Sequence, residues 1–341
     1  MPPQPENILV TGGAGFIGAN FVKNILRKHP ETNVVNLDAL TYAGNLANLE
    51  SEMDNPKHAF VHGDIRDPIL VRETIEKHGV DTIVNFAAES HVDRSIEGPK
   101  IFVETNVLGT LNLLENARTA GVKRFLQVST DEVYGSLGEN GSFTEQTNIK
   151  PNSPYSASKA AADHLVHSFH HTFGMDCVIT RCSNNYGPFQ FPEKMIPLCV
   201  NNARLGKKIP VYGDGLQVRD WLFVEDHCDA IWAAVTKAEP GEVFNIGGNS
   251  EKRNIDLVKT ILNLAGRDES LIEFVKDRPG HDRRYAIDAS KIKNTLRWTP
   301  SLSFEEGMAK TFEWYMDNLE WVESVTSGEY KNYYDKMYAD R

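Results

Sequence analysis

Six short apolar segments alternate with longer helical patterns between residue 7 and about residue 185, and this rhythm constrains the fold more than any other feature. Strands that are apolar on both faces and are separated by helices are typical of parallel sheets covered by helices on both sides. The sequence therefore predicts an α/β protein with a doubly wound parallel sheet. Its expected strands are NILVTGG, NVVNLD, HAFVHGD, DTIVNFAA, RFLQVST and DCVITRCS.

The rhythm loosens after residue 185. The segment NNYGPFQFPEKMIP is rich in proline, asparagine and aromatic residues, and later segments are shorter and more basic. Such a change is typical of a smaller second lobe that closes over a site. We expect a first domain over residues 1–185 and a C-terminal lobe over residues 186–341, with part of 218–248 returning to the first domain.

The chain of 341 residues carries a formal net charge of -11, and its isoelectric point is near 5.5. An acidic protein repels nucleic acids and anionic membrane surfaces, so neither is expected as a partner. No apolar run approaches the roughly 18 residues of a membrane span, and the start MPPQPEN lacks the layout of a signal peptide. We therefore expect a cytoplasmic protein with a small-molecule partner.

The segment NILVTGGAGFIGANFV combines an apolar strand, a glycine-rich turn and a helix start. Gly13, Gly15 and Gly18 fit the G-x-G-x-x-G spacing, in which glycines permit a tight turn, close approach to a pyrophosphate and close helix packing. The helix N-terminus adds free amides and partial positive charge. The alternative is an ordinary strand-to-helix turn, but the strands that follow favour a Rossmann dinucleotide site.

Acidic residues at the ends of the next two strands refine this site. Asp38 lies twenty residues after Gly18, where a carboxylate can accept hydrogen bonds from a ribose. No arginine follows Asp38 before Arg66, so a 2'-phosphate would meet repulsion and the sequence favours NAD over NADP. Asp64 is expected either to contact adenine or to cap a helix. The predicted NAD-binding residues are Gly12, Gly13, Gly15, Phe16, Ile17, Gly18, Asp38, Asp64, Ile65, Ala87, Tyr155 and Lys159.

The segment PNSPYSASKAAADHL is predicted to begin a helix, with Ser153 as N-cap and Pro154 at the first helical position. Tyr155 and Lys159 then share one face, and both an ammonium group and the positive end of a helix favour a phenolate. Such a tyrosine can accept a proton from a sugar hydroxyl while a nicotinamide accepts the hydride. The alternative is a surface i,i+4 pair without chemistry.

Two adjacent acids, Asp131 and Glu132, follow the strand RFLQVST. They are either solvated loop charges or an acid and a base over a substrate, because like charges in a desolvated pocket raise the pKa of one of them. Neighbours in a regular strand point to opposite faces. The chain must therefore leave β geometry around Thr130 if both acids are to face one ligand.

Several motifs resemble a known family. TGGAGFIG, YSASK and GDGLQVRDW resemble the extended short-chain dehydrogenase/reductase family, and STDEVYG, NFAAESHVDRSI, RCSNNYGPFQFPEK and DRPGHDRRY resemble its dTDP-glucose 4,6-dehydratases. The resemblance implies that Tyr155 is the base for oxidation at C4 of the sugar, with NAD as hydride acceptor. It also implies that Thr130 binds the C4 oxygen, that Glu132 removes the C5 proton and that Asp131 protonates the departing C6 hydroxyl.

The same resemblance implies the residues that hold a nucleotide-diphosphate sugar. Arginine side chains suit phosphate oxygens, and the second lobe contains Arg219 and a basic cluster at 278–284. For any one arginine, the alternative is a solvated surface position. The predicted substrate-binding residues are Ser90, Thr130, Asn184, Lys194, Arg219, Asn254, Arg278, His281 and, from the C-terminus, Tyr338.

Two helices carry further signals. The stripe of His164, His167 and His171 lacks the carboxylate spacing of a metalloprotease, so we expect no metal site. The helices at about 101–119 and 155–172 have apolar residues on more than one face, and family members pair these helices in a four-helix bundle. The sequence therefore predicts a homodimer.

Two other functions remain open from the sequence. A nucleotide-sugar 4-epimerase or decarboxylase would share the glycine loop, Tyr155 and Lys159, but would not need Asp131 and Glu132. A non-catalytic regulator that binds NAD and a sugar nucleotide would gain nothing from two like charges held together. The choice between thymine and uracil depends on pocket shape and stays open.

Overall fold

The computed structural model describes residues 4–277 and 281–326. Within these residues the strands are β1 (Asn7–Thr11), β2 (Asn33–Asp38), β3 (His58–His62), β4 (Thr82–Asn85), β5 (Arg124–Thr130), β6 (Cys177–Cys182), β7 (Asn184–Tyr186), β8 (Ile209–Tyr212), β9 (Val218–Phe223), β10 (Val243–Ile246), β11 (Glu251–Arg253) and β12 (Ile272–Val275).

The α-helices in the same residues are α1 (Phe16–Lys28), α2 (Pro68–His78), α3 (Val92–Glu97), α4 (Pro99–Phe102), α5 (Thr110–Ala120), α6 (Pro154–Phe173), α7 (Met195–Leu205), α8 (Val224–Lys237), α9 (Asn254–Leu264), α10 (Ser290–Leu296), α11 (Phe304–Asp317) and α12 (Leu319–Thr326). Short 3₁₀ helices occur at Leu46–Glu52, Asp131–Tyr134 and Glu269–Leu271, and a π-helical turn occurs at Val103–Gly109. Across both described ranges, no helix combines the length and apolarity needed to cross a membrane.

Seven strands form one sheet in the order β10-β6-β5-β4-β1-β2-β3. Every neighbouring pair in it is parallel. The prediction of a doubly wound parallel sheet is confirmed, and β1 to β6 are the six strands expected from the sequence. The direction of strand succession reverses at β1 and β4, and ligands of such sheets bind beyond the carboxyl ends of the strands at this point.

Alternate residues of β1 face two separate cores. Ile8 and Val10 pack in a core with α1 and α8. Leu9 packs on the opposite face, in a core with α2, α5 and α6. Because helices cover both faces, the strands of this sheet are apolar on both sides, which produced the rhythm seen in the sequence.

The chain after β6 forms two smaller sheets, one in the order β11-β9-β7 and one that pairs β12 with β8. Helices α7, α9, α11 and α12 pack with these strands around a third core. Three elements of this later part of the chain join the large sheet instead, and one of them, α10, packs against β10. Strand β10 pairs in parallel with β6, and α8 packs against α1.

The helix predicted over about 101–119 is interrupted by the π-helical turn at Val103–Gly109. The Asn106 side chain in this turn accepts a hydrogen bond from the Glu89 backbone N–H (2.8 Å) and donates to the Glu89 carbonyl (3.0 Å) and the Ser158 hydroxyl (2.8 Å). Such turns occur frequently at functional sites. This one fixes the loop after β4 against α6.

Candidate active site

A cavity of about 340 Å³ lies beyond the carboxyl ends of the large sheet, and we call it the cleft. Its wall combines the loops after β1, β2, β3, β4 and β5, the start of α6 and the segment 182–194. Most residues predicted from the sequence meet here. Those that line the cleft are Gly12, Gly15, Phe16, Ile17, Gly18, Asp38, Asp64, Ile65, Ala87, Ser90, Thr130, Glu132, Tyr155, Lys159, Asn184 and Lys194.

Two glycines of the loop after β1 are required by close backbone contacts. A Cβ atom on Gly12, whose φ is +71°, would lie 2.7 Å from the backbone nitrogen of Ala87. A Cβ atom on Gly18 would lie 2.2 Å from the Gly12 carbonyl oxygen. The loop therefore presents bare backbone at the start of α1, as a pyrophosphate site requires. This cradle fits a dinucleotide.

Asp38 is held at the end of β2 by backbone amides. Its two carboxylate oxygens accept hydrogen bonds from Ala14 N (2.9 Å) and Leu40 N (2.8 Å). Burial raises the pKa of Asp38, and the two amides oppose this shift. The carboxylate is thus fixed beside the glycine loop, where the sequence places a ribose-binding acid.

Asp64 lies on the cleft wall but does not cap a helix. The N-cap of α2 is Asp67, whose side chain accepts hydrogen bonds from Ile69 N and Leu70 N, so the helix-cap interpretation of Asp64 was wrong. Asp64 instead accepts hydrogen bonds from the Arg66 guanidinium, at 3.0 Å from Nε and 2.6 Å from Nη2. Partial burial works against ionisation, but hydrogen bonds from Arg66 leave the pKa of Asp64 below its usual value.

Tyr155 and Lys159 lie in the first two turns of α6. Ser153 caps this helix in a capping box with Ser156, and Pro154 is its first residue, as predicted. The Tyr155 ring is buried edge-on against Phe102, and the Thr130 side chain is near enough to its hydroxyl to influence the pKa of Tyr155. The tyrosine therefore directs its hydroxyl to the end of β5.

Burial dominates the electrostatics of this pair. Burial raises the pKa of Tyr155 well above its usual value, and the Glu132 carboxylate adds to the shift. Lys159 Nζ donates to the Val128 carbonyl at 2.8 Å. Burial lowers the pKa of Lys159, and the Asp163 carboxylate opposes that shift. Burial thus determines the direction for the protein groups alone, and the predicted lowering of the Tyr155 pKa by the Lys159 ammonium group stays a prediction.

The chain leaves β geometry at Thr130, as the two acids require. Strand β5 ends at Thr130, and a 3₁₀ helix begins at Asp131. The Thr130 hydroxyl accepts a hydrogen bond from Glu132 N (3.2 Å) and donates to Asp131 Oδ1 (3.4 Å). Thr130 and Glu132 line the cleft, whereas Asp131 is buried beside its wall.

Asp131 has the environment of a protonated acid. Burial raises its pKa well above the usual value, and the Glu132 and Asp220 carboxylates add to the shift while Arg219 opposes it. Its Oδ2 atom is buried and has no hydrogen-bond partner among the described residues. A carboxyl group with a raised pKa beside the Glu132 side chain is the acid and base arrangement that the sequence suggested.

The residues predicted to bind the sugar nucleotide are only partly on the cleft wall. Lys194 Nζ donates to the Ser90 carbonyl at 2.9 Å, and both residues line the cleft. Asn184 also lines it, and the Asn184 Oδ1 atom is buried without a partner among the described residues. These three residues therefore belong to the cleft wall, as the prediction of substrate contacts requires.

Gly13, Arg219, Asn254 and His281 are not among the residues that line the cleft. Arg219 is buried on β9 and donates to the carbonyls of Val218 (2.8 Å) and Asp282 (2.9 Å). Its charge also opposes the rise in the pKa of Asp131, and this proximity was not evident from the sequence. Asn254 begins α9, and His281 Nδ1 is 2.6 Å from Asp277 Oδ1. Arg278 and Tyr338 lie outside the described residues.

Two further arginines of the predicted basic cluster pair with acids. Arg283 contacts Asp214 at 2.8 Å, and Arg284 contacts Glu251 at 2.7 Å. Both pairs connect the segment after residue 280 to other parts of the second lobe. Neither pair lines the cleft.

Glu193 is a cleft residue that the sequence interpretation missed. Burial raises its pKa, while Lys194 and Arg94 oppose that shift. Arg94 Nε donates to Glu193 at 3.1 Å, and the Arg94 guanidinium carbon lies 3.9 Å from the centre of the Tyr42 ring. The adjacent acid and base in FPEK, Glu193 and Lys194, were a signal of a charged site. The residues around Glu193 come from α3 and from the loop after β2, however, and the spacing of residues in the sequence does not reveal them.

Comparisons with known proteins agree with this geometry. The sequence model of the family described as GDP-mannose 4,6 dehydratase matches residues 9–311. A dTDP-glucose 4,6-dehydratase from Xanthomonas campestris pv. campestris (strain B100) is 56% identical over 341 residues, covering 95% of this chain and 97% of that protein. The chain belongs to the dTDP-glucose 4,6-dehydratase family. The resemblance inferred from its motifs is confirmed.

Solved structures of this dehydratase family have the same fold. One from Bacillus anthracis, in complex with NAD, is 51% identical with a TM-score of 0.89, and the match covers 94% of this chain and 99% of that one. One from Streptomyces venezuelae, with NAD and TYD bound, is 50% identical with a TM-score of 0.91 over 94% of this chain and 99% of that one. The similarity therefore includes both lobes.

Proposed function

We infer that this protein dehydrates dTDP-glucose to dTDP-4-keto-6-deoxyglucose with a retained NAD cofactor. The observation that carries the proposal is the position of Thr130 between two reactive pairs. Its hydroxyl donates to Asp131 and accepts from the amide of Glu132, and its side chain is near enough to Tyr155 to influence the pKa of that tyrosine. At the end of β5, a base for sugar oxidation thus lies near an acid and a base for elimination. The curated relatives at 50% to 56% identity carry the same enzyme name.

The first step is oxidation at C4 of the sugar. Tyr155 accepts the proton of the C4 hydroxyl as a phenolate, a form that the positive charges of Lys159 and of an oxidised nicotinamide ring would favour over the neutral phenol. Thr130 binds the same oxygen. Lys159 supplies a buried positive charge on the same face of α6, four residues beyond Tyr155. The cradle of Gly12, Gly15 and Gly18 and the carboxylate of Asp38 would hold NAD, which supplies the hydride acceptor and later the hydride donor.

The second step is loss of water across C5 and C6. A ketone at C4 acidifies the C5 proton, and Glu132 removes it. Asp131, kept protonated by burial and by the neighbouring carboxylates, gives its proton to the C6 hydroxyl as this leaves. The C5–C6 double bond is then reduced, because C6 receives the hydride that was removed from C4 and C5 regains a proton from Glu132. The overall reaction is redox-neutral.

The remaining assignments extend the proposal to substrate binding and domain organisation. Ser90, Asn184 and Lys194 contact the sugar nucleotide, and Arg219, Asn254 and His281 approach its diphosphate from the second lobe. The first domain covers residues 1–185 and the second lobe residues 186–341. The pairing of β10 with β6 supports the return of part of 218–248 to the first domain. Four buried, free cysteines support a reducing, cytoplasmic location: Cys177, Cys182, Cys199 and Cys228.

An epimerase or a binding regulator fits these observations less well. Both alternatives leave the burial of Asp131 without a purpose, because an unpartnered carboxyl oxygen in the interior costs about 1–3 kcal/mol of stability. A dehydratase uses that same group as its acid. The arrangement around Thr130 therefore favours dehydration.

Purified protein incubated with dTDP-glucose should form a product lighter by one water, as measured by mass spectrometry. UDP-glucose should react at least about tenfold less efficiently, because its base lacks a methyl group that a fitted pocket can read. A product of unchanged mass would indicate an epimerase. Absence of any product from either sugar, with NAD bound, would favour the regulator.

We propose that the protein is a homodimer. Large apolar side chains on the π-helical turn are exposed, including Val103 (49%) and Leu108 (53%), and Phe173 at the end of α6 is 52% exposed. Exposed large apolar side chains of this kind favour association. Pairing the same helices of two copies would bury them.

The Leu108→Glu variant should therefore be monomeric at micromolar concentration, because a carboxylate would be buried in the proposed interface. Light scattering over a dilution series measures the change. Leu264→Glu on α9, whose leucine is 40% exposed, is the matched control and should keep the native mass. A native protein that is monomeric throughout the series would contradict the dimer.

A further inference from the structure

Ala14 lies in the middle of the glycine loop, and both its backbone N–H and its carbonyl group are hydrogen-bonded. Ala14 N donates to Asp38 Oδ2 at 2.9 Å. Its carbonyl oxygen accepts from Asn48 Nδ2 at 2.8 Å and from Asn45 N at 3.0 Å. Because Ala14 lies between Gly13 and Gly15, these bonds fix the conformation of the loop that forms the dinucleotide cradle.

Asn48 connects this loop to the C-terminal part of the chain. Its side chain is 2% exposed, and Asn48 Oδ1 accepts a hydrogen bond of 2.8 Å from the indole N–H of Trp321 on α12. Trp321 is 273 residues away in sequence. A continuous path of hydrogen bonds therefore leads from α12 through Asn48 to the backbone of the glycine loop.

Trp321 is itself fixed by an aromatic cluster. Its ring lies 5.1 Å from the Trp314 ring and 6.0 Å from the Phe189 ring, measured between centroids. Phe189 has a φ of +68°, and the neighbouring Gln190, a cleft residue, receives a hydrogen bond of 2.7 Å from the Tyr315 hydroxyl at its carbonyl. The indole that reaches Asn48 is thus held by two helices and by the segment that borders the cleft.

We propose that Trp321 and Asn48 are positioning residues that pre-organise the glycine loop and slow the release of NAD. The proposal rests on the function inferred above only in that NAD is the cofactor. A loop already fixed in its binding conformation loses less conformational freedom on binding, which increases affinity. A redox-neutral cycle never needs to exchange its cofactor, so slow release carries no cost in turnover.

The Trp321→Phe variant tests this path, because it keeps an aromatic ring and removes the N–H donor. Purified enzyme with bound NAD is mixed with isotopically labelled NAD, and mass spectrometry follows the exchange of bound for labelled cofactor. We expect exchange about tenfold faster than in the native enzyme, because the variant loses one hydrogen bond and leaves the buried Asn48 Oδ1 atom without this donor. Turnover should fall on dilution and recover when NAD is added.

Trp314→Phe is the matched control. It alters the same aromatic cluster without removing the hydrogen bond to Asn48, so we expect the native exchange rate. Equal acceleration in both variants would show that ring packing alone retains NAD, and a native exchange rate in Trp321→Phe would overturn the proposal outright.

Asn48→Ala gives an independent test by a double-mutant cycle. It removes the donor to Ala14 and the acceptor for Trp321 together, so exchange should be at least as fast as in Trp321→Phe. If both residues act through one path, the double variant should exchange no faster than Asn48→Ala alone, whereas multiplication of the two effects would contradict it. Because exchange is measured without substrate, a protein that retains NAD through this path but fails to dehydrate dTDP-glucose would refute the proposed function alone.

Discussion

We expect the Tyr155→Phe variant to dehydrate dTDP-glucose about a thousandfold more slowly than the native enzyme, because it lacks the base for the first step. Its folding and NAD binding should persist. The ring packs edge-on against Phe102, and phenylalanine keeps that contact. Only the hydroxyl near Thr130 is lost. Mass spectrometry of the product measures the rate, and the absorbance of reduced cofactor shows whether C4 oxidation has occurred.

Tyr186→Phe is the matched control for this variant. Tyr186 is 1% exposed in the core of the second lobe, and its hydroxyl donates to the Phe304 carbonyl at 3.3 Å. Both variants therefore remove a buried phenol hydroxyl, and each should lower the free energy of unfolding by about 1 kcal/mol. Only Tyr155→Phe should lose activity. Cofactor reduction at the native rate in Tyr155→Phe would remove Tyr155 from its assigned role.

The large sheet could be predicted from the sequence because each of its first six strands carries its own local signal. Apolar runs such as those of β1 and β5 are bounded by turns and helices, and both of their faces are buried. The two-residue signal Ser153 and Pro154 likewise determined where α6 begins. The position of β10 beside β6 was harder to predict from the sequence, since the two strands that pair are more than sixty residues apart.

Predictions about the site were incomplete where a functional side chain contacts a group that is distant in sequence. Helical spacing places Tyr155 and Lys159 on one face, but it does not reveal that the Lys159 ammonium donates to the Val128 carbonyl. For Asp64 a better local signal existed. Asp67 precedes Pro68 at the start of α2, which is the usual order of an N-cap and a first helical residue.

The hydrogen bond between Asn48 and Trp321 shows the same limit more strongly. Neither residue belongs to a motif, and the two are brought together only when α12 packs beside the first domain. Local patterns can therefore indicate which groups perform the chemistry. They do not indicate which distant side chains hold those groups in place.

The second large effect is expected for Glu132→Gln, which should oxidise the sugar at C4 but lower the rate of water loss by about a thousandfold. Glutamine keeps the shape and hydrogen-bonding capacity of glutamate but cannot accept a proton at neutral pH. Tyr155 and Thr130 remain in place, so the first step proceeds. The variant should accumulate reduced cofactor and a 4-keto sugar, which absorbance and mass spectrometry detect separately.

Glu139→Gln provides the isosteric control, because Glu139 is exposed seven residues further along the chain and should tolerate the change without loss of activity. In deuterated water the native product should carry deuterium at C5, since the proton on Glu132 can exchange before it is returned, and Glu132→Gln should leave that position unlabelled. Dehydration at the native rate by Glu132→Gln would show that another group removes the C5 proton. The burial of Asp131 beside Glu132 would then have no catalytic explanation, and the geometry around Thr130 would support oxidation alone.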